Sequence, residues 1–332
     1  MGNIMPKKQS AWQQSLTEII TDLDELVKFL NLTRRDLPTA IKDKNFPLRV
    51  PKEFVNRMEK GNSKDPLLLQ ILPVTAEQNI ISGYSLDPLQ EIKANPTPGI
   101  LHKYHGRILV TLAGSCAINC RYCFRRHFPY GENIPSKKGW GGILSYLKNN
   151  HTIEEVILSG GEPLLIKDEL LYDFIQSLAK ISHLKRLRIH TRLPVVIPNR
   201  INEEFIEVLK CSTLEPIVVI HSNHPNELDI TTTESLRLLK NRGITTLNQA
   251  VLLKHINDDA DVLSTLSKKL FNAGVMPYYL HLLDKVQGAA HFAVSQKKAK
   301  QLIALLLEKL PGYLVPKLVQ EVPEIKHKKI LR

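Results

Sequence analysis

The stretch Cys116-Ala117-Ile118-Asn119-Cys120-Arg121-Tyr122-Cys123 decides how the rest of the chain is read. Three of the four cysteines fall within it, separated by three and then two residues. A short loop with that spacing can wrap a cubane and offer one thiolate to each of three iron corners. Protein-bound [4Fe–4S] clusters usually take four cysteine ligands. The remaining cysteine, Cys211, lies far along the chain beside Ser212 and Thr213 and reads as a buried small apolar residue. A three-thiolate loop leaves one iron open to a ligand that is not protein, which points to chemistry rather than storage of an electron. Tetrahedral zinc with His127 as fourth ligand is the alternative for the same residues. Disulfides fit poorly, because the N-terminus lacks an apolar leader core and so few cysteines make no framework in a long chain. A reducing, cytoplasmic setting is expected.

Outward from the loop, short apolar runs alternate with amphipathic segments. Strands are expected at 107–112, 155–158, 186–190, 217–220, 245–249, 275–280 and 313–319. Helices are expected at 139–149, 167–181, 202–210, 232–242, 258–272 and 295–309. Strands alternating with helices of this length imply parallel βαβ units with right-handed crossovers. Their almost unbroken apolar character suits a sheet covered on both faces. Six or seven units fall short of eight, so the α/β fold expected is an open, partial (β/α)6-type barrel. Residues 10–45 carry helical periodicity (Trp12, Leu16, Ile19, Ile20, Leu23, Leu26, Phe29), and a Pro-punctuated stretch follows. The organisation read from this is an N-terminal helical region at 1–100 with little obvious catalytic chemistry, a barrel at 101–310 and a C-terminal strand and tail at 311–332.

The 332 residues, 43% hydrophobic, suffice for a full core, and no apolar run approaches the ~20 residues of a membrane span. The formal charge of +12 allows an anionic partner or a site for phosphate and carboxylate groups. Much of the excess is dispersed in pairs such as Lys7-Lys8, Lys137-Lys138, Lys297-Lys298 and Lys328-Lys329, without interleaved aromatics, as on solvated faces.

Polar residues cluster where the expected strands end. After the first strand comes the cysteine loop, and after the second Ser159-Gly160-Gly161-Glu162-Pro163. Later strands end in His190-Thr191-Arg192, His221-Ser222-Asn223-His224 and Asn248-Gln249, and the next leads to His281 and Asp284. Functional groups of parallel barrels gather at the C-terminal strand ends. Each alone could cap a loop; their succession along one rim argues for a site.

The C-x-x-x-C-x-x-C loop after a first strand resembles the radical S-adenosylmethionine (SAM) superfamily. That resemblance implies that SAM chelates the open iron of the [4Fe–4S] cluster and is cleaved to a carbon radical. It also implies that Gly160, Gly161 and Glu162 hold the methionine amine, that Arg192 pairs with its carboxylate and that Gln249 hydrogen-bonds SAM. Closer strings, Arg121–Phe128 (RYCFRRHF), Leu158–Leu164 (LSGGEPL), Arg192–Pro198 (RLPVVIP), Asn223-His224-Pro225 and Pro277-Tyr278-Tyr279-Leu280, resemble the lysine 2,3-aminomutase family over nearly the whole chain. LHKYH at 101–105 and LDKVQGAAHF at 283–292 look most like its short branch, which makes (R)-β-lysine for modification of elongation factor P.

The family resemblance implies pyridoxal 5′-phosphate (PLP), held by a lysine near the C-terminus. Ungapped alignment points to Lys328, with Lys326 and Lys329 as rivals and no glycines where the family has them. It further implies that Arg125 binds the substrate α-carboxylate, that Arg107, with Lys103 and Tyr104 nearby, meets the PLP phosphate, and that Asp284 meets the ε-ammonium of L-lysine. A second family acid falls at Glu321 in place of Asp. Implied partners are a reductant protein, elongation factor P with its lysyl ligase, and a second copy of the chain. The rival readings are a catabolic aminomutase, against which the short tail after Lys328 speaks, a radical SAM enzyme acting on RNA or protein, and an iron–sulfur electron carrier.

Overall fold

Strands that bury apolar side chains, as unbroken runs or on alternate residues, lie side by side in the sheet at the centre of the computed structural model, which describes residues 10–135, 139–323 and 325–331. Lys7-Lys8 and Lys137-Lys138 lie outside the described residues. The strands are β1 (Ile19–Ile20), β2 (Val50–Pro51), β3 (Ile100–Tyr104), β4 (Arg107–Ala113), β5 (Glu155–Gly160), β6 (Arg186–Thr191), β7 (Glu215–Ile220), β8 (Thr245–Val251), β9 (Met276–His281), β10 (Lys317–Gln320) and β11 (Lys329–Ile330). Among the described residues β3 to β11 form one nine-stranded sheet in simple sequential order, parallel from β4 to β10 and antiparallel at both edges. Its two edge strands do not pair with each other, so the barrel is partial and open.

Four crossover helices begin where short polar side chains cap their free amides. Asn202, Asp229, Asp259 and Ser295 accept from the first turns of Glu203–Lys210, Ile230–Asn241, Ala260–Asn272 and Gln296–Lys309, respectively. These helices, and Trp140–Asn149 and Asp168–Ala179 without a side-chain cap, start within two residues of the expected positions.

Three expectations need correction. The periodic stretch at 10–45 forms only the short helices Ala11–Ser15 and Leu23–Phe29, because Ile19–Ile20 leaves to pair with Val50–Pro51. The strand expected from 313 begins at Lys317, since Gly312–Leu314 is a 3-10 turn after Pro311. Two edge strands were not expected at all: β3 and the two-residue β11. The N-terminal region and the barrel share one hydrophobic cluster, which runs from Trp12 and Phe54 through Leu158 and Phe205 to Val275. A second cluster packs Leu302, Leu306, Leu318 and Leu331 under the last helix and so fastens the C-terminus to the sheet.

Candidate active site

The cysteine loop leaves the C-terminal end of β4 and is tied down by the N-terminal region. Arg49 Nε donates to the Cys116 carbonyl at 2.7 Å, and the Asn119 and Arg121 amides donate to Arg49 and Gln70 carbonyls at 2.9 Å each. Arg121 is fully buried; its Nε lies 2.8 Å from Glu77 Oε1 and its Nη2 2.9 Å from Asp43 Oδ2. Arg126 Nη2 reaches the same Glu77 carboxylate at 2.8 Å. Both guanidiniums lie over the Phe46 ring. Buried cations hold position only when paired and hydrogen-bonded, so this cluster fixes the loop on its outer side.

On the inner side the glycines press the end of β5 against the loop. Gly160 has φ +119°, and a Cβ there would stand 2.6 Å from the Ala113 carbonyl oxygen; one at Gly161 would stand 2.6 Å from that of Ser115. Only glycine tolerates both the dihedral and the approach. The Gly161 amide donates to Ala113 at 2.7 Å and the Glu162 amide to Ser115 at 2.9 Å, closing the contact. Glu162 then accepts from Thr191 Oγ1 (2.6 Å) and from the amides of Arg192 (2.8 Å), Leu193 (3.1 Å) and Leu164 (3.1 Å). These donors fill the usual capacity of a carboxylate, and Glu162 latches the end of β5 to that of β6. Burial pushes its carboxyl up against the pull of those donors.

Arg192 is engaged as well. Its Nη1 lies 2.8 Å from Cys120 Sγ and donates to the Tyr122 hydroxyl, while Nη2 meets Gln70 Oε1 at 2.8 Å and Glu227 Oε2 at 3.5 Å. Asn223 Nδ2 donates to Tyr122 and Gln70, which completes a network joining the thiol loop to the rim.

Behind this rim lies a cavity of about 880 Å³. Of the residues that the resemblance assigns to cluster, SAM, PLP or substrate, Cys116, Cys120, Cys123, Gly161, Glu162, Arg192, Gln249, Arg107, Arg125, Asp284, Glu321 and Lys328 line it, and Gly160, whose carbonyl is taken by the Tyr130 hydroxyl, does not. Lys328 Nζ stands 2.5 Å from Glu321 Oε1, and Tyr104 donates its hydroxyl to the same carboxylate. Burial alone would raise the Glu321 carboxyl, but Lys328 first, with Tyr104 and Lys103, brings it below the usual range. Asp284 is pushed up to about 7, first by burial and then by the Glu321 charge. Arg107 lies 4.6 Å over the Tyr104 ring. Of the rival tail lysines, Lys329 borders the cavity from an exposed position and Lys326 does not line it.

Gln249 Nε2 sits 2.8 Å from His221 Nε2 and 3.5 Å from His190 Nδ1. Burial drives His221 down to about 3 and lowers His190 and His281 as well, so all three imidazoles are neutral. Nε2 of His190 and of His281 is buried with no hydrogen-bond partner among the described residues.

Arg125 does not project freely into the cavity. Its Nε and Nη2 meet Glu91 Oε2 and Oε1 at 2.7 and 2.8 Å, and Nη1 donates to Ser159 Oγ at 3.0 Å. Glu91, Gln70 and Glu77 all come from the region read as having little obvious catalytic chemistry, and they supply partners to the guanidiniums of the site. No local pattern marks them: Gln70 is a lone polar residue within 67–72, and Glu77 and Glu91 stand beside other polar residues (Gln78, Asn79; Gln90) of a Pro-punctuated stretch. His127, the alternative fourth ligand for zinc, has Nε2 on the Gln287 carbonyl at 3.2 Å, and Cys211 ends the helix Glu203–Lys210 against the core.

Residues 110–266 match the radical SAM superfamily. The chain is 50% identical over 313 residues to the L-lysine 2,3-aminomutase of Escherichia coli K12, covering 94% of this chain and 91% of that one. The chain belongs to the lysine 2,3-aminomutase family. Family members of the same description include that of Haemophilus influenzae Rd, 50% identical over 95% of this chain and 94% of that one. The Clostridium subterminale member is 32% identical over 94% of this chain and 75% of its own length. The family is one of isomerases, and its radical SAM domain implies a [4Fe–4S] cluster and SAM.

The thiols fit that cluster. All are free, half-buried and on the cavity wall. Burial and the neighbouring thiols push Cys116 up and Cys123 up to about 11, a penalty that cationic iron reverses. Among the described residues no three His, Cys, Asp or Glu side chains are close enough to share one metal ion; a cubane takes each thiolate at a separate iron. No helix among the described residues is long and apolar enough to cross a membrane.

Proposed function

We propose that this chain is a SAM- and PLP-dependent L-lysine 2,3-aminomutase that makes (R)-β-lysine for the modification of elongation factor P. The observation that carries this reading is one cavity lined by three thiols, an amine on an acid pair and a buried guanidinium: Cys116, Cys120 and Cys123, Lys328 beside Glu321 and Asp284, and Arg125. The elongation factor P branch rests on the strings at 101–105 and 283–292, and on the higher identity to the Escherichia coli and Haemophilus influenzae relatives than to the Clostridium one.

When bound, the cluster with SAM supplies hydrogen-atom abstraction, and PLP supplies a conjugated system that spreads an unpaired electron while nitrogen moves between adjacent carbons. The residues divide the remaining tasks. Cys116, Cys120 and Cys123 hold the cluster, and Gly161 lets a ligand approach the backbone beside it. Arg192 and Gln249 offer donors to the carboxylate and hydroxyls of SAM. Lys328 carries PLP, and Arg107 is the candidate for its phosphate. Asp284 and Glu321 receive the substrate ε-ammonium, which stabilises the ionised form of Asp284 that the empty cavity disfavours. The same acids repel a glutamate side chain, so the pocket discriminates by charge. Arg125, with Lys103 Nζ 3.7 Å from its partner Glu91, faces the α-carboxylate.

Anaerobic reconstitution with iron, sulfide, PLP, SAM and dithionite, followed by NMR of a lysine reaction, tests the activity. β-Lysine resonances are expected, and protein fully loaded with cofactors that leaves lysine unchanged refutes it. Borohydride reduction is expected to fix PLP on Lys328; attachment at Lys326 or Lys329 would displace that residue from the role.

A further inference from the structure

Glu91 is the least expected group in the cavity. It is 5% exposed and stands on a segment that precedes the barrel, where Asp87 Oδ1 accepts from its amide at 2.9 Å and sets the turn Ile92–Ala94. Its carboxylate occupies one whole edge of the Arg125 guanidinium and lies 3.7 Å from Lys103 Nζ, whose ammonium is otherwise held by the Leu89 carbonyl at 2.9 Å. Burial would raise its carboxyl, yet Arg125 first and Lys103 second keep it ionised. Two cations around one buried anion make a site of net +1, matched to a single incoming carboxylate.

Resting on the aminomutase reading, we infer that Glu91 is a positioning residue that restrains the substrate carboxylate. With Glu91 on Nε and Nη2 of Arg125 and Ser159 Oγ on Nη1, the ligand is left one hydrogen on each terminal nitrogen, together with Lys103. The carboxylate is thereby denied the Nε–Nη2 edge and confined to the Nη1–Nη2 end. Were that edge free, lysine would bind more tightly but would be drawn to where Glu91 now sits, away from the reacting position. Glu91 thus withholds ground-state affinity and fixes placement.

The test compares Glu91→Gln and Glu91→Asp with wild type, as PLP- and cluster-loaded protein without SAM, by calorimetric titration with lysine and with lysinamide, which lacks the carboxylate. Turnover is then measured after SAM is added. In Glu91→Gln the ratio of the lysinamide to the lysine Kd is expected to rise about tenfold, the worth of one charge-assisted hydrogen bond. kcat is expected to fall while KM for lysine also falls. Glu91→Asp, a methylene shorter, should lie between and covers the case that Glu91→Gln does not fold. A merely structural role lowers affinity for both ligands alike and leaves the ratio flat. A flat ratio in every folded variant, with wild type binding lysine, overturns this inference alone. Wild-type protein that binds no lysine overturns the functional reading and the inference with it.

Discussion

Asp284 shows what a single carboxyl costs before a substrate arrives. Its folded pKa of about 7 lies above the ordinary 3.8, raised by burial and then by Glu321. The folded protein therefore binds this proton more tightly than the unfolded chain does. The favourable contribution is complete below 3.8 and is lost as pH rises through about 7. Asparagine has no proton to lose, so Asp284→Asn is expected to gain stability relative to wild type between about pH 4 and about pH 8, by on the order of 2 kcal/mol once water in the cavity is allowed for. The same change should weaken lysine binding and leave SAM binding intact. Urea unfolding of both proteins without lysine, at the two pH values, measures the first effect. A variant that loses stability at the higher pH shows that the carboxylate is already compensated in the empty cavity.

At the scale of elements, the βαβ alternation was legible because four of the crossover helices open on a side-chain cap and strands such as β5 and β7 carry apolar runs. The rim was legible for a related reason: strand ends follow from strand positions, so the candidate side chains after β4, β5, β6 and β9, and Gln249 near the end of β8, could be placed without coordinates. What could not be read were the elements set by partners distant in sequence. β3 and β11 exist because they complete the edges of a sheet, and neither has a pattern of its own. β11 matters most, since it pairs with β10 through Val319–Ile330 and Gln320–Lys329 and so presents Lys328 beside Glu321. Its anchor is Leu331, 7% exposed, whose amide donates to the Leu318 carbonyl at 3.0 Å. Leu331→Ala is expected to cost about 2–3 kcal/mol of local docking. PLP content after reconstitution should fall while iron content and SAM affinity hold. Equal loss of PLP and iron would mean that the hairpin supports the whole barrel rather than the lysine.

For the whole molecule, the boundary expected near residue 100 conflicts with how charge is buried. Arg121, Arg125 and Arg126 belong to the cysteine loop, yet their counter-ions Glu77, Glu91 and Asp43 all precede the barrel. A barrel released from that region would keep three guanidiniums beside its cluster site with no anion to replace water. The shared hydrophobic cluster points the same way, because Trp12, Phe54 and Leu68 belong to the same buried cluster as the barrel core. These couplings have no sequence signature: an acid forty residues before its arginine looks like any exposed acid. The expected consequence is a single cooperative calorimetric transition for the full chain, with Glu77→Ala shifting the entire transition. Glu77 is shared by Arg121 and Arg126, so its loss should cost about 3–5 kcal/mol, as when a buried ion pair loses one partner. Iron incorporation should fail over the same temperature range in which tertiary structure melts, since the loop that carries the thiols is held by those arginines. Two resolved transitions in wild type, with Glu77→Ala moving only the lower one and iron retained above it, would restore an independent barrel and put the counter-ions outside its folding unit.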